Sequence, residues 1–149
     1  MKESPQTKIL EEMLKSSKLV ADGFMGTDIR SVSEIIDSDS AIIYKSGFTI
    51  EQITARMREI TSQAVPLLGN WKKYQTLLVK VDEAKGSLTC PWPHPGKFVK
   101  RVTYIKLVES GRTIKWSDLN IHLIESHGFF EGKGSPYRIE PDELIHMIF

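Results

Sequence analysis

The stretch W-S-D-L-N-I-H-L-I-E-S-H-G-F-F-E-G-K-G-S-P-Y-R, from Trp116 to Arg138, combines a helix signal, two of the four histidines and a basic glycine-rich loop. Ser117 is expected to cap a helix, because its hydroxyl can accept from a free backbone N–H of the first turn. The helix is expected to end at His127, with Gly128 in the left-handed conformation that often terminates helices. The stretch therefore predicts a well-defined helix followed by a loop with chemically capable side chains.

The loop after this helix has the composition of an anion site. Its two glycines would let the backbone approach a ligand, while Lys133, Ser135 and Arg138 supply donors for phosphate or carboxylate. It lacks the spacing of a P-loop. We expect an anionic or phosphate-bearing small ligand between this stretch and the loop of residues 90–96. The expected ligand-binding residues are His94, His122, His127, Lys133, Ser135 and Arg138. The alternative is a plain surface turn that leads into a short strand at residues 137–139.

A second interpretation of the same region is a metal site. Cys90 and His94 lie in a proline-rich loop, and with His122 and His127 they give the order Cys-x-x-x-His, then His-x-x-x-x-His. The last two histidines are about 140° apart around an ideal helix, so they are not an i, i+4 metal pair. The four could still hold zinc, or Cys90 could act as a nucleophile with one histidine as base. A metal-dependent or cysteine-dependent enzyme is thus an alternative function.

The first 69 residues predict three helices. Ser31 with Glu34 and Thr49 with Gln52 each have the form of a capping box, in which two residues satisfy each other's free backbone N–H. The first helix is expected to run from Pro5, capped by Ser4, to Gly23, and the third from Thr49 to Pro66. The second is expected to begin either near Thr27 and Asp28 or at Ser31, and to end at Gly47. The alternative to a scaffold is a helix-turn-helix DNA reader, with Gln52, Arg56 and Glu59 of the last of these helices as the base-contacting side chains. Against it, this part carries 10 acidic and 8 basic residues.

The middle of the chain predicts antiparallel strands. One strand is expected from Thr76 to Val81, broken by Gly86. Residues 99–108 and 113–116 are expected to form a hairpin through a two-residue turn at Ser110 and Gly111. The proposed register places Leu107 opposite Ile114, Ile105 opposite Trp116 and Lys106 opposite Lys115.

One face of this hairpin predicts a further function. Residues 71–116 hold 10 basic and 3 acidic residues, and the face carries Lys100, Tyr104, Lys106 and Lys115. A basic sheet face with an aromatic ring can hold single-stranded nucleic acid or an acidic partner. A solvated lysine face that prevents aggregation is the alternative.

The length and composition of the chain limit the classes of protein to which it can belong. The 149 residues predict a single α+β domain, 1–149, with a helical part at 1–69 and a sheet with two covering carboxyl-terminal helices at 70–149. The single cysteine, Cys90, excludes an internal disulfide and favours a cytoplasmic location. No apolar run approaches the roughly 20 residues of a membrane helix. The oligomeric state stays open.

Overall fold

The computed structural model describes residues 5–16, 23–94 and 96–149. Within these residues the chain forms five α-helices and one four-stranded antiparallel sheet in the order β1-β2-β3-β4, so the predicted α+β class is confirmed. The helices are α1 (Pro5–Lys15), α2 (Val32–Ser46), α3 (Ile50–Ala64), α4 (Asp118–His127) and α5 (Pro141–Ile148), with a short 3-10 helix at Val65–Leu67. The strands are β1 (Lys72–Tyr74), β2 (Leu77–Thr89), β3 (Lys97–Leu107) and β4 (Thr113–Ser117). None of the described helices is long and apolar enough to cross a membrane.

Local capping signals locate the helix ends. Ser31 and Thr49 each form the predicted capping box, and Gly47 ends α2 in the left-handed conformation at φ 83°. The first helix differs from the prediction, because α1 ends at Lys15 and not near Gly23. The predicted cap at residue 4 and residues 17–22 lie outside the described part of the chain.

The extent of the strands departs from the prediction in three places. Gly86 does not end β2: the β2–β3 pairing shifts register between Glu83 and Ser87 and then continues, because glycine accommodates the positive φ of 98° at this irregularity. Strand β1 was not predicted. The strand expected at residues 137–139 does not form, and Ile139 donates only a single backbone hydrogen bond, 3.2 Å, to the carbonyl of Phe130.

The β3–β4 hairpin has a longer turn than the sequence suggested. Leu107 and Arg112 are joined by a backbone hydrogen bond of 2.8 Å, which leaves four residues in the connection, with Gly111 at φ 72°. The register is therefore shifted by two residues from the prediction, and Tyr104, not Lys106, lies opposite Lys115. A shift of two keeps every side chain on its predicted face, because strand side chains alternate with a period of two.

The inner face of the sheet is covered by α3 and α4, while α5 packs against α2 and α3. The prediction that the two carboxyl-terminal helices cover the sheet is thus only partly right. Trp116 is fully buried here, and its indole N–H donates to Thr61 at 3.0 Å. A second apolar cluster, which includes Phe24, Cys90, Leu119 and Phe129, joins α1, α2 and α4 to the end of the β2–β3 hairpin. This second cluster positions the site described next.

Candidate metal centre

Two elements bring four metal-ligating side chains together. Cys90 directly follows β2, and His94 lies in the proline-rich loop before β3. His122 lies within α4, and His127 is its last residue, held there by Gly128 in the left-handed conformation as predicted. The structure therefore places the β2–β3 loop against the carboxyl-terminal half of α4.

The donor atoms of these residues face one another. The Nε2 atom of His94 lies 3.2 Å from Nε2 of His127 and 3.1 Å from Nε2 of His122, and Cys90 Sγ lies 3.4 Å from Nε2 of His127. One ligand atom from each of the four residues lies within 4.8 Å of every other. We call this group the four-ligand cluster.

These separations resemble the edges of a tetrahedral zinc site. Zn–N bonds of about 2.0–2.1 Å and a Zn–S bond of about 2.3 Å give edges of roughly 3.3–3.6 Å in a regular tetrahedron. Three donor separations, 3.1–3.4 Å, are close to this range, and all separations lie within 4.8 Å.

Aromatic neighbours fix the orientation of two of the imidazole rings. Trp92 stacks on His127 with ring centroids 4.1 Å apart and planes 8° from parallel. Phe98 stacks on His122 at 4.3 Å, while Ser126 lies 3.3 Å from the Nδ1 atom of that ring. A partner on the second nitrogen is typical of metal-binding histidines, because it selects the tautomer that presents the first nitrogen.

The electrostatics of the four-ligand cluster favour neutral imidazoles at His122 and His127. Burial, together with His122 and His94, lowers the pKa of His127 to about 4. Burial and the neighbouring His94 also lower the pKa of His122. Burial raises the pKa of the Cys90 thiol, against the backbone hydrogen bond of Trp92. These two histidines are thus in the protonation state that binds a cation, whereas the thiol would lose its proton to a metal.

Arg138, expected to bind an anion, has its donors engaged within the fold. Its guanidinium donates to both carboxylate oxygens of Asp39 at 2.5 and 2.9 Å, to both oxygens of Glu140 and to the carbonyl of Glu131. These five contacts match the five N–H donors of a guanidinium. The side chains of Arg138 and Asp39 are 7% and 2% exposed, so the pair joins α2 to the chain before α5.

Ser135 and Lys133 differ in their surroundings. The Ser135 hydroxyl is buried, donates to Glu131 at 2.6 Å and lies 3.3 Å from the carbonyl oxygen of Gly23. Lys133 is exposed, and its backbone N–H donates to Asp28 at 3.0 Å. The polar contacts of Ser135 and Arg138 join them to the loop segments that contain Gly23 and Glu131 and to α2, on residues other than the three histidines.

The glycines of this loop serve a close approach between two backbone segments. Gly132 donates to the carbonyl of Phe24 at 2.8 Å, and a Cβ atom at Gly132 would lie 2.2 Å from the carbonyl oxygen of Met25. A Cβ at Gly26 would lie 2.2 Å from the backbone nitrogen of Ser135. We call residues 23–28 and 131–135 the paired loops. Their packing explains the glycines without a ligand.

The sheet face predicted to carry Lys100, Tyr104, Lys106 and Lys115 is only partly as expected. Tyr104 and Lys115 are neighbours across the β3–β4 pair, while Lys106 lies opposite Thr113 and Lys100 lies at the irregular part of β3. Sequence reasoning missed Trp71, Lys80 and Tyr137, which the structure places in line with Tyr104 and Lys115. Only the register of the whole sheet could have revealed that alignment.

The residues proposed for DNA reading on α3 have contacts within the chain. Arg56 donates to the carbonyl of Ile148 at 2.6 Å and also contacts Glu59 and Gln75. The opposite side of α3 is buried, including Ile53. A DNA-reading role for α3 stays a prediction.

Comparisons with known proteins give no assignment: no protein-family model, no curated protein and no solved structure matches the chain. The fold and the four-ligand cluster define the class of molecule as an α+β protein with four convergent potential metal ligands.

Proposed function

We propose that this chain is a zinc-binding protein in which one ion joins the β2–β3 loop to α4. The observation that supports the proposal is the convergence of Cys90, His94, His122 and His127, whose ligand atoms all lie within 4.8 Å of one another. Each pair comes from a different element, so helical periodicity or a single turn does not explain the convergence. Three imidazoles and a thiolate form a ligand set that suits zinc.

The number of ligands favours a structural role for the ion. Four protein ligands complete the tetrahedral shell, whereas catalytic zinc usually keeps one position for water. The ion would stabilise the proline-rich loop against the second apolar cluster, of which Cys90 is a member. Zinc enzyme chemistry would require one ligand to leave, and His94 is the most exposed of the four.

Elemental analysis of protein purified without a histidine tag tests the proposal. We expect about one zinc per chain after dialysis, and a large loss of zinc in Cys90→Ser and His122→Ala. His146 is the one histidine outside the four-ligand cluster and is exposed on α5, so His146→Ala is the matched control and should keep its metal. Wild-type protein that holds no zinc, even after exposure to zinc salt, would contradict the proposal.

Cobalt substitution provides an independent measurement of the ligand set. Co²⁺ in a tetrahedral site with one thiolate should give intense visible absorption and a sulfur-to-metal charge-transfer band. Cys90→Ser should lose the charge-transfer band, while His146→Ala should keep it. A wild-type spectrum typical of octahedral cobalt would show that the four side chains do not close around the ion.

The cysteine-dependent enzyme stays a second candidate because of one contact. Cys90 Sγ lies 3.4 Å from Nε2 of His127, which is the arrangement of a nucleophile and a base. Against it, Cys90 is only 7% exposed and burial raises the pKa of its thiol, the reverse of an activated cysteine. Alkylation by iodoacetamide faster than that of a model thiol would support this candidate.

A site for an anionic ligand on Lys133, Ser135 and Arg138 also stays a prediction. Two of the three donors would have to exchange internal partners for the ligand, because Arg138 binds Asp39 and Ser135 binds Glu131. That exchange would leave buried carboxylates without partners, which is costly. The four-ligand cluster needs no such exchange, and we therefore favour it.

A further inference from the structure

The outer face of the sheet carries a row in which aromatic rings and lysines alternate. Lys80 of β2 pairs with Tyr104 of β3, and Tyr104 pairs with Lys115 of β4, so the three lie side by side across the strands. Trp71, directly before β1, and Tyr137, after α4, extend the row at its two ends. We call these five residues the aromatic–lysine row.

Each lysine of the row lies against a ring. Lys80 Nζ is 5.4 Å from the centroid of Trp71 and 4.9 Å from that of Tyr104, and Lys115 Nζ is 4.5 Å from the centroid of Tyr137. Neighbouring strands are about 4.8 Å apart, so rings on alternate positions of the row are roughly 10 Å apart. The row therefore offers three flat apolar surfaces separated by positive charges.

We propose that the aromatic–lysine row binds single-stranded nucleic acid, with bases stacked on the rings and phosphates beside the lysines. Bases and phosphates alternate along a single strand, and the row presents stacking surfaces and ammonium groups in the same alternation. Two further lysines on the outer face, Lys73 and Lys106, are exposed beside the row and extend its positive charge.

The shape of the surface fits this partner better than a duplex. A trough of about 520 Å³ is lined by three residues of the row, Trp71, Tyr104 and Lys115, and its wall also includes Arg138, Glu140 and Glu143. Such a trough can admit an unstacked base, whereas a base pair inside a duplex does not expose its ring faces. The glutamates of the wall can accept from the amino group of a base but would repel a phosphate, so we place the phosphates beside the lysines.

The energies favour replacement of the internal contacts by a ligand. An exposed cation–π contact is worth about 0.5–1 kcal/mol, whereas stacking of a base on a protein ring is worth about 1–3 kcal/mol. A base can therefore take the ring face while the displaced ammonium moves to the phosphate. One acidic residue, Asp82, pairs with Lys80 at 3.4 Å and weakens the positive charge at that position.

Fluorescence titration with single strands of about 12 nucleotides, within the usual site size, tests the proposal. DNA and RNA of the same sequence form two arms, and a duplex and an acidic peptide form the comparison arms. We expect at least one of the two single strands to bind and to quench the fluorescence of Trp71. The affinity should fall steeply as the salt concentration rises. The duplex and the acidic peptide should bind more weakly.

Matched variants separate stacking from simple charge attraction. Trp71→Ala and Tyr104→Ala should each weaken binding about 5- to 150-fold, the loss expected for one stacked base. Tyr44→Ala is the control, because Tyr44 is 87% exposed on α2, away from the sheet. Trp71 is 48% exposed, so its replacement should leave the fold intact. Lys115→Gln should reduce the salt dependence of the binding affinity, because it removes one positive charge.

Three results would overturn the proposal. They are no binding of either single strand at low salt, equal or tighter binding of the duplex or acidic peptide, and full affinity in both ring variants. Zinc content is measured on the same samples, so loss of metal and loss of nucleic-acid binding can be distinguished.

Discussion

Glu131 combines burial, an unusual backbone conformation and a perturbed pKa. The residue is 2% exposed and adopts φ 69°, a left-handed conformation that is costly for any residue with a Cβ. Its carboxylate accepts from Ser135 and Asn120, and its carbonyl accepts from Arg138. Burial raises the pKa of Glu131 to about 7, and the three neighbouring donors oppose this shift. The residue thus carries an acidic proton that the fold holds more tightly than the unfolded chain does.

We predict that this residue makes the fold less stable as pH rises. An unfolded glutamate loses its proton near its ordinary pKa of 4.5, whereas folded Glu131 keeps it until about pH 7. The stabilisation by the bound proton is complete below about pH 4.5 and is lost as the pH rises from 4.5 to about 7. His127 and His122, whose pKa values are lowered, contribute slopes of the opposite sign, so the effect of Glu131 is measured as a difference between two proteins. In urea unfolding at several pH values, the stability of wild type relative to Glu131→Gln, which resembles the protonated acid, should fall between about pH 4.5 and 7. Exposed Glu51→Gln is the control, and an unchanged slope in Glu131→Gln would contradict the prediction.

At the scale of elements, local signals were sufficient for the helices. The capping residues Ser31, Thr49 and Ser117 and the stop at Gly128 could be identified from the sequence, because each depends on side chains within a few residues. The hairpin register could not, since it depends on whether two or four residues form the turn. Strand β1 was missed for the same reason, because its pairing with β2 is not visible in the local sequence.

The candidate site was likewise only partly predictable from the sequence. The ligand types and their order were visible in the sequence, but their convergence depends on where the β2–β3 loop lies against α4. The carboxyl end of a helix favours a protonated histidine where the side chain is exposed, because the helix dipole attracts cations there. Burial and two neighbouring histidines lower the pKa of His127 instead, and none of these was visible in the local sequence.

The paired loops give a prediction about sterics. Gly132→Ala should lower the free energy of unfolding by about 2 kcal/mol or more, because its Cβ would lie 2.2 Å from the Met25 carbonyl oxygen. Gly47→Ala is the matched control: its left-handed φ is strained for alanine, but nothing lies within 4 Å, so we expect a loss of only about 1 kcal/mol. Urea denaturation compares the two. A loss of unfolding free energy that is smaller in Gly132→Ala than in Gly47→Ala would contradict the prediction, because the paired loops would then separate at little cost in free energy.

At the scale of the whole molecule, the described residues form two apolar clusters that stabilise the fold. One lies under the sheet, and the other joins α1, α2 and α4 to the end of the β2–β3 hairpin. The second cluster is the smaller, and the four-ligand cluster lies at its edge through Cys90. Metal binding should therefore affect the stability of the second cluster most directly.

We predict a metal-dependent melting temperature. A ligand at 100 times its Kd stabilises a folded state by about 2.7 kcal/mol, so a chelator should lower the melting temperature and added zinc should restore it. Limited proteolysis should become faster at the proline-rich loop when the metal is removed. A variant with both Cys90→Ser and His122→Ala should not respond to either treatment. Equal melting temperatures of wild type with chelator and with zinc would contradict the prediction.

The separation of the ligands along the chain has a consequence for the unfolded state. His94 and His122 are 28 residues apart, and their Nε2 atoms lie 3.1 Å apart in the fold. A metal that bridges them would act as a cross-link, and closing a loop of this length removes entropy from the unfolded chain worth roughly 3–4 kcal/mol on the chain-entropy model. A protein with one cysteine cannot make such a link through a disulfide. Coordination would give it a reversible one, with a strength that follows the supply of metal and not the redox state alone.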